Sequence, residues 1–209
     1  MKVILAFFLS LMMTVESFAS MLMEMEPEKK QESTWDIIRF GLIAILIVIP
    51  IRFFVAQPFI VSGSSMFPTF KNGDYLIVDQ LSYRLENPER FDVIVFRYPN
   101  DKTKFFIKRV VGLPNEKVDI NGNTVTVTNA EHPNGLVLEQ PYVENGSSNN
   151  THFELNDGEY FVMGDNRSAS SDSRYWGAVA KNLIMGRAFV RLYPIGDLDV
   201  LPGHFKQSE

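Results

Sequence analysis

Two apolar runs open the chain, and their lengths separate them. The first, residues 3–15, follows Lys2 and precedes a stretch with small residues, a pattern typical of a secretory signal. It is too short for an ordinary membrane span, which takes about 20 residues. The second run, residues 35–55, is long enough to cross the roughly 30 Å hydrocarbon layer of a bilayer as a helix. The pattern predicts a transmembrane helix over residues 35–56, with a buried helix of a soluble protein as the alternative.

The basic residues around the second run predict its orientation. Lys29, Lys30 and Arg39 lie before it or at its start, whereas only Arg52 closely follows its apolar centre. Lysine and arginine favour the cytoplasmic side of a membrane. We therefore expect the chain before the helix in the cytoplasm and the chain after it on the extracytoplasmic side of the cell membrane.

Three interpretations of the first run stay open. A cleaved signal peptide would export the linker that follows and so oppose this orientation. The run could instead be a short first span. It could also result from too early a start, because Met21, Met23 and Met25 are alternative starts. In each case residues 1–34 form an N-terminal segment that continues as a linker.

Beyond residue 56 the apolar pattern changes from helical to strand-like. Short runs rich in branched and aromatic residues alternate with turn formers, and Asn121-Gly122 is a strong hairpin signal. The predicted strands lie within residues 74–83, 92–99, 104–114, 117–128, 159–166 and 185–194. Residues 129–157 are polar and predict a loop-rich excursion. The expected fold class is mostly β, a membrane-anchored compact antiparallel β domain over residues 57–209 that follows an N-terminal transmembrane helix.

Composition narrows the chemistry. The chain has 209 residues, of which 45% are hydrophobic, and a net charge of -5, so nothing indicates a nucleic-acid partner. Cysteine is absent, which excludes disulfides and a thiolate nucleophile. The three histidines are not spaced as a metal-binding pair. We expect no cofactor and no metal, and hydrolytic chemistry that runs without histidine.

A serine-rich turn follows the apolar helix. The stretch "SGSSMFPTF", residues 62–70, places Ser62, Ser64 and Ser65 beside Met66 and a phenylalanine. By itself it favours a polar linker. The alternative is that one hydroxyl is a nucleophile at the membrane surface.

A lysine in an apolar strand is the candidate base for such a nucleophile. In "FFIKRVVG", Lys108 shares a strand face with Phe106 and Val110. A lysine can act as a base near neutral pH only if burial disfavours its charged form. Taken alone, the strand favours a lysine whose stem packs while its amine reaches water.

A third stretch, "GDNRSASSDSRYWG" at residues 164–177, is dense in polar side chains directly after an apolar strand. Its aspartates and arginines could pair with one another or with Arg109. One of its serines could orient a neutral lysine, as an aspartate orients histidine in other triads.

Together and in order, the three stretches resemble the type I signal peptidases, membrane-bound Ser-Lys endopeptidases. The resemblance extends over about residues 39–192. It implies that Ser65, directly before Met-x-Pro-Thr, is the nucleophile and that Lys108 is the general base. It also implies five supporting side chains. They are Ser170, which would position the lysine, the ion pair Asp172–Arg174, and Asp165 as the partner of Arg109.

One position departs from this family pattern. Many members carry a serine two residues before the nucleophile, where its hydroxyl completes the oxyanion hole. Here that position is Gly63. Losing one such donor can cost about 100-fold in rate. Ser62 or Ser64 could replace it, and we favour Ser62.

The resemblance also implies the substrate. It would be a preprotein signal peptide with small side chains at the first and third positions before the cut, lying extended against a strand edge. Apolar residues near the nucleophile are the expected pocket walls, namely Phe59, Ile60, Met66 and Ile107. The expected partners are therefore signal peptides and the lipid bilayer, without nucleic acid or metal.

Two other classes remain as alternatives. A membrane-anchored, non-enzymatic β domain that binds a partner would not depend on Lys108. A self-cleaving Ser-Lys regulator of the cytoplasm would need a DNA-binding region in place of the membrane helix, and no basic helix-turn-helix pattern is present.

Overall fold

The structure is a computed structural model that describes residues 34–54, 56–146 and 150–207. The chain divides into two compact units, Met1–Ile51 and Arg52–Glu209. The first apolar run lies outside the described residues, so its three interpretations remain predictions.

The second apolar run forms helix α1, Thr34–Phe54. Large apolar side chains along its first half are exposed, among them Trp35, Ile37, Phe40 and Leu46. Among the described residues, no helix is both long and apolar enough to cross a membrane. The membrane span predicted for residues 35–56 therefore stays a prediction.

After the helix the chain is mostly antiparallel β structure, and this part of the predicted fold class is confirmed. The strands are β1 (Ala56–Ile60), β2 (Tyr75–Asp79), β3 (Val93–Tyr98), β4 (Asp101–Gly112), β5 (Lys117–Asn121), β6 (Thr124–Thr128), β7 (Leu136–Val137), β8 (Asn150–Glu154), β9 (Glu159–Met163), β10 (Val179–Ala180), β11 (Ile184–Tyr193) and β12 (Asp199–Val200). The described helices of this part are short, α2 at Ser82–Leu85 and α3 at Ser173–Trp176, with 3-10 turns at Arg167–Ala169, Lys181–Leu183 and Ile195–Asp197.

The strands form two sheets. The larger has the order β1-β2-β11-β3-β4-β9-β10, with β12 paired to β11, and the smaller has the order β7-β6-β5-β8. The hairpin predicted at Asn121-Gly122 joins β5 to β6, and Gly122 has the positive φ of 59° that such a turn favours. The polar excursion of residues 129–157 contributes β7 and β8, so part of it belongs to the smaller sheet.

The larger sheet curls, as antiparallel sheets do because each strand twists. The ring of Phe59 on β1 consequently lies 5.4 Å from the ring of Phe105 on β4. Strand β4 pairs with β3 between Asp101 and Arg109, but its pairing with β9 begins only at Arg109. The start of β4 therefore lies close to β1.

Three clusters of buried apolar side chains hold the sheets in place. One lies between the smaller sheet and β9 and includes Val118, Val127 and Phe161. A second, around Ile94 and Phe96, fills one face of β3. The third lies under the serine-rich turn, and its members are Val61, Met66, Phe70, Leu76, Val93 and Ala188. Burial of this third cluster fixes the turn that carries Ser65.

Candidate active site

Ser65, the predicted nucleophile, lies in the loop between β1 and β2, residues 61–74, which we call the nucleophile loop. Backbone hydrogen bonds from Val61 N to Asp74 O and from Gly73 N to Val61 O, each 2.9 Å, close its ends. Met66 and Phe70 are 1% and 0% exposed and anchor its middle in the core. Ser65, next to Met66, is held on a rigid turn at a partly exposed position.

Lys108 lies on β4, and its amine meets the hydroxyl of Ser65. Its Nζ is 2.7 Å from Ser65 Oγ and 2.8 Å from the carbonyl oxygen of Ile107. The residue is only 4% exposed. Burial lowers the pKa of Lys108 to about 8, although the carboxylates of Asp172 and Asp165 act to raise it. With that pKa roughly one Lys108 in ten is neutral at pH 7, against fewer than about one in a thousand for an ordinary lysine.

A buried ion pair lies beside Ser65 and Lys108. Arg109, the next residue on β4, donates from Nε to Asp165 Oδ1 at 2.8 Å and from Nη2 to Asp165 Oδ2 at 2.6 Å. Both side chains are 1% exposed. Thr69 of the nucleophile loop donates its hydroxyl to Asp165 Oδ2 at 2.5 Å. The pair therefore links the strand of Lys108 to the loop of Ser65.

The residue after Asp165 binds the backbone of Ser65 and Ser64 directly. The backbone N–H of Asn166 donates to Ser65 O at 3.0 Å, and its side-chain Nδ2 donates to Ser64 O at 3.2 Å. Sequence reasoning missed the roles of Asn166 and Thr69. The only sequence signal for them was their position, Thr69 within residues 62–70 and Asn166 within residues 164–177.

A second buried ion pair shapes the loop of residues 164–177. Arg174 donates to both carboxylate oxygens of Asp172, at 2.7 and 2.9 Å, and both side chains are fully buried. Asp172 Oδ2 also accepts from Gly164 N at 3.0 Å, and Arg174 Nη2 donates to Arg167 O at 2.7 Å. These contacts close the loop on itself.

Ser170 does not hydrogen-bond to the lysine. It is 6% exposed, and its Oγ has no hydrogen-bond partner among the described atoms. It nevertheless lies close to the nucleophile loop, since a Cβ on Gly164 would come within 2.2 Å of Ser170 Oγ and 2.4 Å of Ser65 O. Its positioning role stays a prediction.

The other two serines of the turn, Ser62 and Ser64, are exposed, and Ser64 directly precedes Ser65. Gly63 between them has a φ of +95°. A serine at position 63 would be strained in that conformation, so the local backbone is built for glycine.

A groove of about 610 Å³ runs past Ser65 and Lys108. Three of the predicted wall residues line it, namely Phe59, Ile60 and Ile107. Met66 is not among the lining residues, because its side chain points into the core beneath the loop. Val61, Leu76 and Val95 line the groove in addition.

Comparison with known proteins identifies the family. A model of the family described as "Signal peptidase, peptidase S26" matches residues 34–193. The chain belongs to this family. The predicted class, a serine endopeptidase of the signal peptidase type, is confirmed.

Individual relatives support the assignment. A probable signal peptidase I-2 of Synechocystis sp. is 37% identical over 84% of this chain and 83% of its own. A signal peptidase I of Bacillus amyloliquefaciens is 29% identical over 84% of this chain and 93% of its own. A solved signal peptidase I of Enterococcus faecalis is 30% identical and covers 49% of this chain and 97% of its own, with a TM-score of 0.41. That score is too low to compare folds, so the assignment rests on the sequences.

The tight contact at Gly164 gives a test of this geometry in the peptidase. We expect Gly164→Ala to lower kcat on the order of 100-fold, because the added methyl would push against Ser65 O and Ser170 Oγ. The control is Gly196→Ala, since a Cβ there would meet no atom within 4 Å. The measurement is the rate of preprotein cleavage by the two purified variants. Equal rates would contradict the close packing of Gly164 on the nucleophile loop.

Proposed function

We propose that this signal peptidase cleaves preproteins with Ser65 as nucleophile and Lys108 as general base. The observation that carries the proposal is the 2.7 Å contact between Lys108 Nζ and Ser65 Oγ at a lysine that is 4% exposed. A general base must lie within hydrogen-bond reach of the proton it removes and must have a pKa near the working pH. Lys108 meets both conditions.

The reaction would proceed through an acyl-enzyme. Neutral Lys108 takes the proton of the Ser65 hydroxyl while Oγ attacks the scissile carbonyl. The protonated lysine then gives that proton to the departing amine of the mature protein. A water molecule, activated by the same lysine once neutral, hydrolyses the ester and releases the signal peptide.

Charge on the carbonyl oxygen would be stabilised by the backbone N–H of Ser65 and a second donor. For the second donor we retain Ser62, with Ser64 as the alternative. Ser170, Arg109, Asp165, Asp172 and Arg174 would support the dyad by fixing its surroundings. The two ion pairs lend support, because each pair neutralises a carboxylate that would otherwise favour the charged lysine.

The substrate would bind as an extended strand in the groove. Among the described strands, β1 pairs only with β2, and the start of β4 has no partner on the side of β9. Both edges offer main-chain hydrogen bonds to a peptide. Phe59, Ile60 and Ile107 lie along the groove, and such bulky walls leave shallow pockets that favour small side chains before the cut.

The site would work at a membrane surface. We propose that α1 anchors the chain in the cell membrane with the β unit on the extracytoplasmic side. The support is the apolar run of residues 35–55 and the excess of lysine and arginine before it. A site close to the bilayer suits substrates whose own signal segments are held there.

Removing either member of the dyad tests the mechanism. Ser65→Ala and Lys108→Ala should each lose nearly all cleavage of a preprotein with an Ala-x-Ala site, assayed with the full chain in detergent. Lys117→Ala is the control, since its side chain is 54% exposed and pairs only with surface groups. Circular dichroism checks that each variant is folded. A folded Lys108→Ala variant that keeps most of its activity would show that the base is another group.

The pH dependence tests the state of the lysine. Because the base must be neutral, kcat/KM should rise about tenfold per pH unit below the pKa and level off above a pH of about 8. The direction follows from burial, which disfavours the ammonium form. The measurement is kcat/KM for a peptide substrate between about pH 6 and pH 10, roughly two pH units on either side of that pKa. A profile without a rise across this interval would rule out a lysine with a lowered pKa as the base.

A further inference from the structure

The segment after β12, residues 201–207, lies across both sheets, and we call it the strap. At its start Leu201 N donates to Phe189 O on β11 at 2.7 Å. At its end Gln207 Nε2 donates to Val137 O on β7, and Gln207 Oε1 accepts from Glu139 N, both at 3.2 Å. The strap is thus tied to the larger sheet at one end and to the smaller sheet at the other.

The middle of the strap is packed into the core. Pro202 is buried. The ring of Phe205 lies 5.0 Å from the ring of Phe91 and 5.7 Å from that of Tyr142. A segment fixed in this way can hold its backbone groups at set positions.

One of those groups is the carbonyl of Gly203, and it binds Arg109. Arg109 Nη1 donates to Gly203 O at 2.5 Å and to Phe91 O at 3.0 Å. The ring of Tyr142 covers the guanidinium, 3.9 Å from its central carbon. Arg109 is fully buried, and a buried guanidinium needs acceptors for its N–H groups. The strap provides one that the sheets do not.

The same guanidinium is connected to both Ser65 and Lys108. Its Nε and Nη2 hold Asp165, and Asp165 accepts the hydroxyl of Thr69 in the nucleophile loop. Arg109 also follows Lys108 directly on β4. A shift of Arg109 would therefore reach both Ser65 and Lys108.

We propose that the strap is a positioning element for the dyad and acts through the Gly203 carbonyl on Arg109. The inference rests on the proposed roles of Ser65 and Lys108. It adds a backbone group, far along the chain, that none of the three motifs contains.

Two readouts should separate positioning from simple stabilisation. Displacing Arg109 loosens Thr69 and so the placement of Ser65, which lowers kcat more than it changes KM. It also leaves Asp165 less well neutralised beside Lys108. The carboxylates that act on Lys108 are Asp165 and Asp172, both from the loop after β9. More uncompensated charge on Asp165 raises the lysine pKa, so the acid limb of the pH–rate profile should move to higher pH.

Gly203→Ala perturbs this contact. Gly203 has a φ of +74°, and a Cβ there would lie 2.5 Å from Thr69 Cγ2 and 3.1 Å from Arg109 Nη2. The matched control is Gly158→Ala, which has a φ of +70° but no atom within 4 Å of the new Cβ. We expect kcat to fall roughly tenfold to a hundredfold in Gly203→Ala only, with its acid limb at higher pH. The Ser65→Ala and Lys108→Ala variants are assayed in parallel. If either keeps its activity, the proposed mechanism fails. If both are inactive and Gly203→Ala behaves like Gly158→Ala, only the strap proposal fails.

A second change separates displacement of Arg109 from a direct push on the nucleophile loop. Thr69→Ser keeps the hydroxyl for Asp165 and removes the methyl that the new Cβ would strike. The double variant Gly203→Ala/Thr69→Ser, compared with Thr69→Ser alone, should still have a lower kcat and an acid limb at higher pH, because the new Cβ also lies 3.1 Å from Arg109 Nη2. Full recovery of kcat and of the acid limb would show that the methyl of Thr69 was pushed directly and would overturn the route through Arg109.

Equal kcat and equal acid limbs in folded Gly203→Ala and Gly158→Ala would overturn the proposal, even if the melting temperature of the first were lower. If Gly203→Ala does not yield folded protein, Gln207→Ala takes its place, because it breaks only exposed hydrogen bonds at the end of the strap. A fall in kcat with the shifted acid limb supports the proposal, whereas a wild-type profile overturns it.

Discussion

In the proposed mechanism the amine of Lys108 must lose its charge before it can take the proton of Ser65, and burial away from water favours this loss. An ammonium group is strongly hydrated, so burial disfavours it and the pKa falls. The structure achieves this by placing the lysine on a long strand, under the nucleophile loop, with Ser65 Oγ and one backbone carbonyl as its polar contacts. The nucleophile loop and the curled sheet together bury this side chain and still present Ser65 to a groove.

Two buried ion pairs accompany the lysine, and their placement is consistent with the same constraint. Asp165 and Asp172 favour the charged form of Lys108 and act to raise its pKa. Each also binds an arginine through both oxygens, and the positive charge of that arginine opposes the effect. Buried pairs add little net stability, because desolvation offsets much of the attraction. Here they serve to fix two loops around the dyad and to limit the field that acts on Lys108.

The sequence allowed much of the site to be predicted, because its chemistry lies in contiguous motifs. Asp165 and Arg109, predicted as partners, form an ion pair, and so do Asp172 and Arg174. The main strands were predictable because they are short runs rich in branched and aromatic residues between turn formers. Strands β5 and β6 also alternate between buried and more exposed residues. Strands β1, β7, β8, β10 and β12 were not predicted. Strands β7, β10 and β12 are two residues long, so their partners define them and they carry no pattern of their own. Strand β8 lies in the polar stretch of residues 129–157, and β1 directly follows the apolar run of residues 35–55.

Other features depend on contacts between distant residues, and no local pattern reports them. Met66 illustrates this, because adjacent side chains in a turn point in different directions and proximity to Ser65 in sequence did not place it in the groove. The carbonyl of Gly203 reaches Arg109 across a large sequence separation. Asn166 binds Ser65 through its backbone N–H and Ser64 through its side-chain amide, and these partners are set only when the two loops meet.

The central claim is that Lys108 is a buried lysine whose neutral form is populated near neutral pH. The most direct measurement is an NMR titration of the lysine side chains in the full chain, with the Lys108 signal assigned by its loss in Lys108→Ala. The account predicts a pKa of about 8 for Lys108. A pKa at the ordinary lysine value of 10.5 would contradict it.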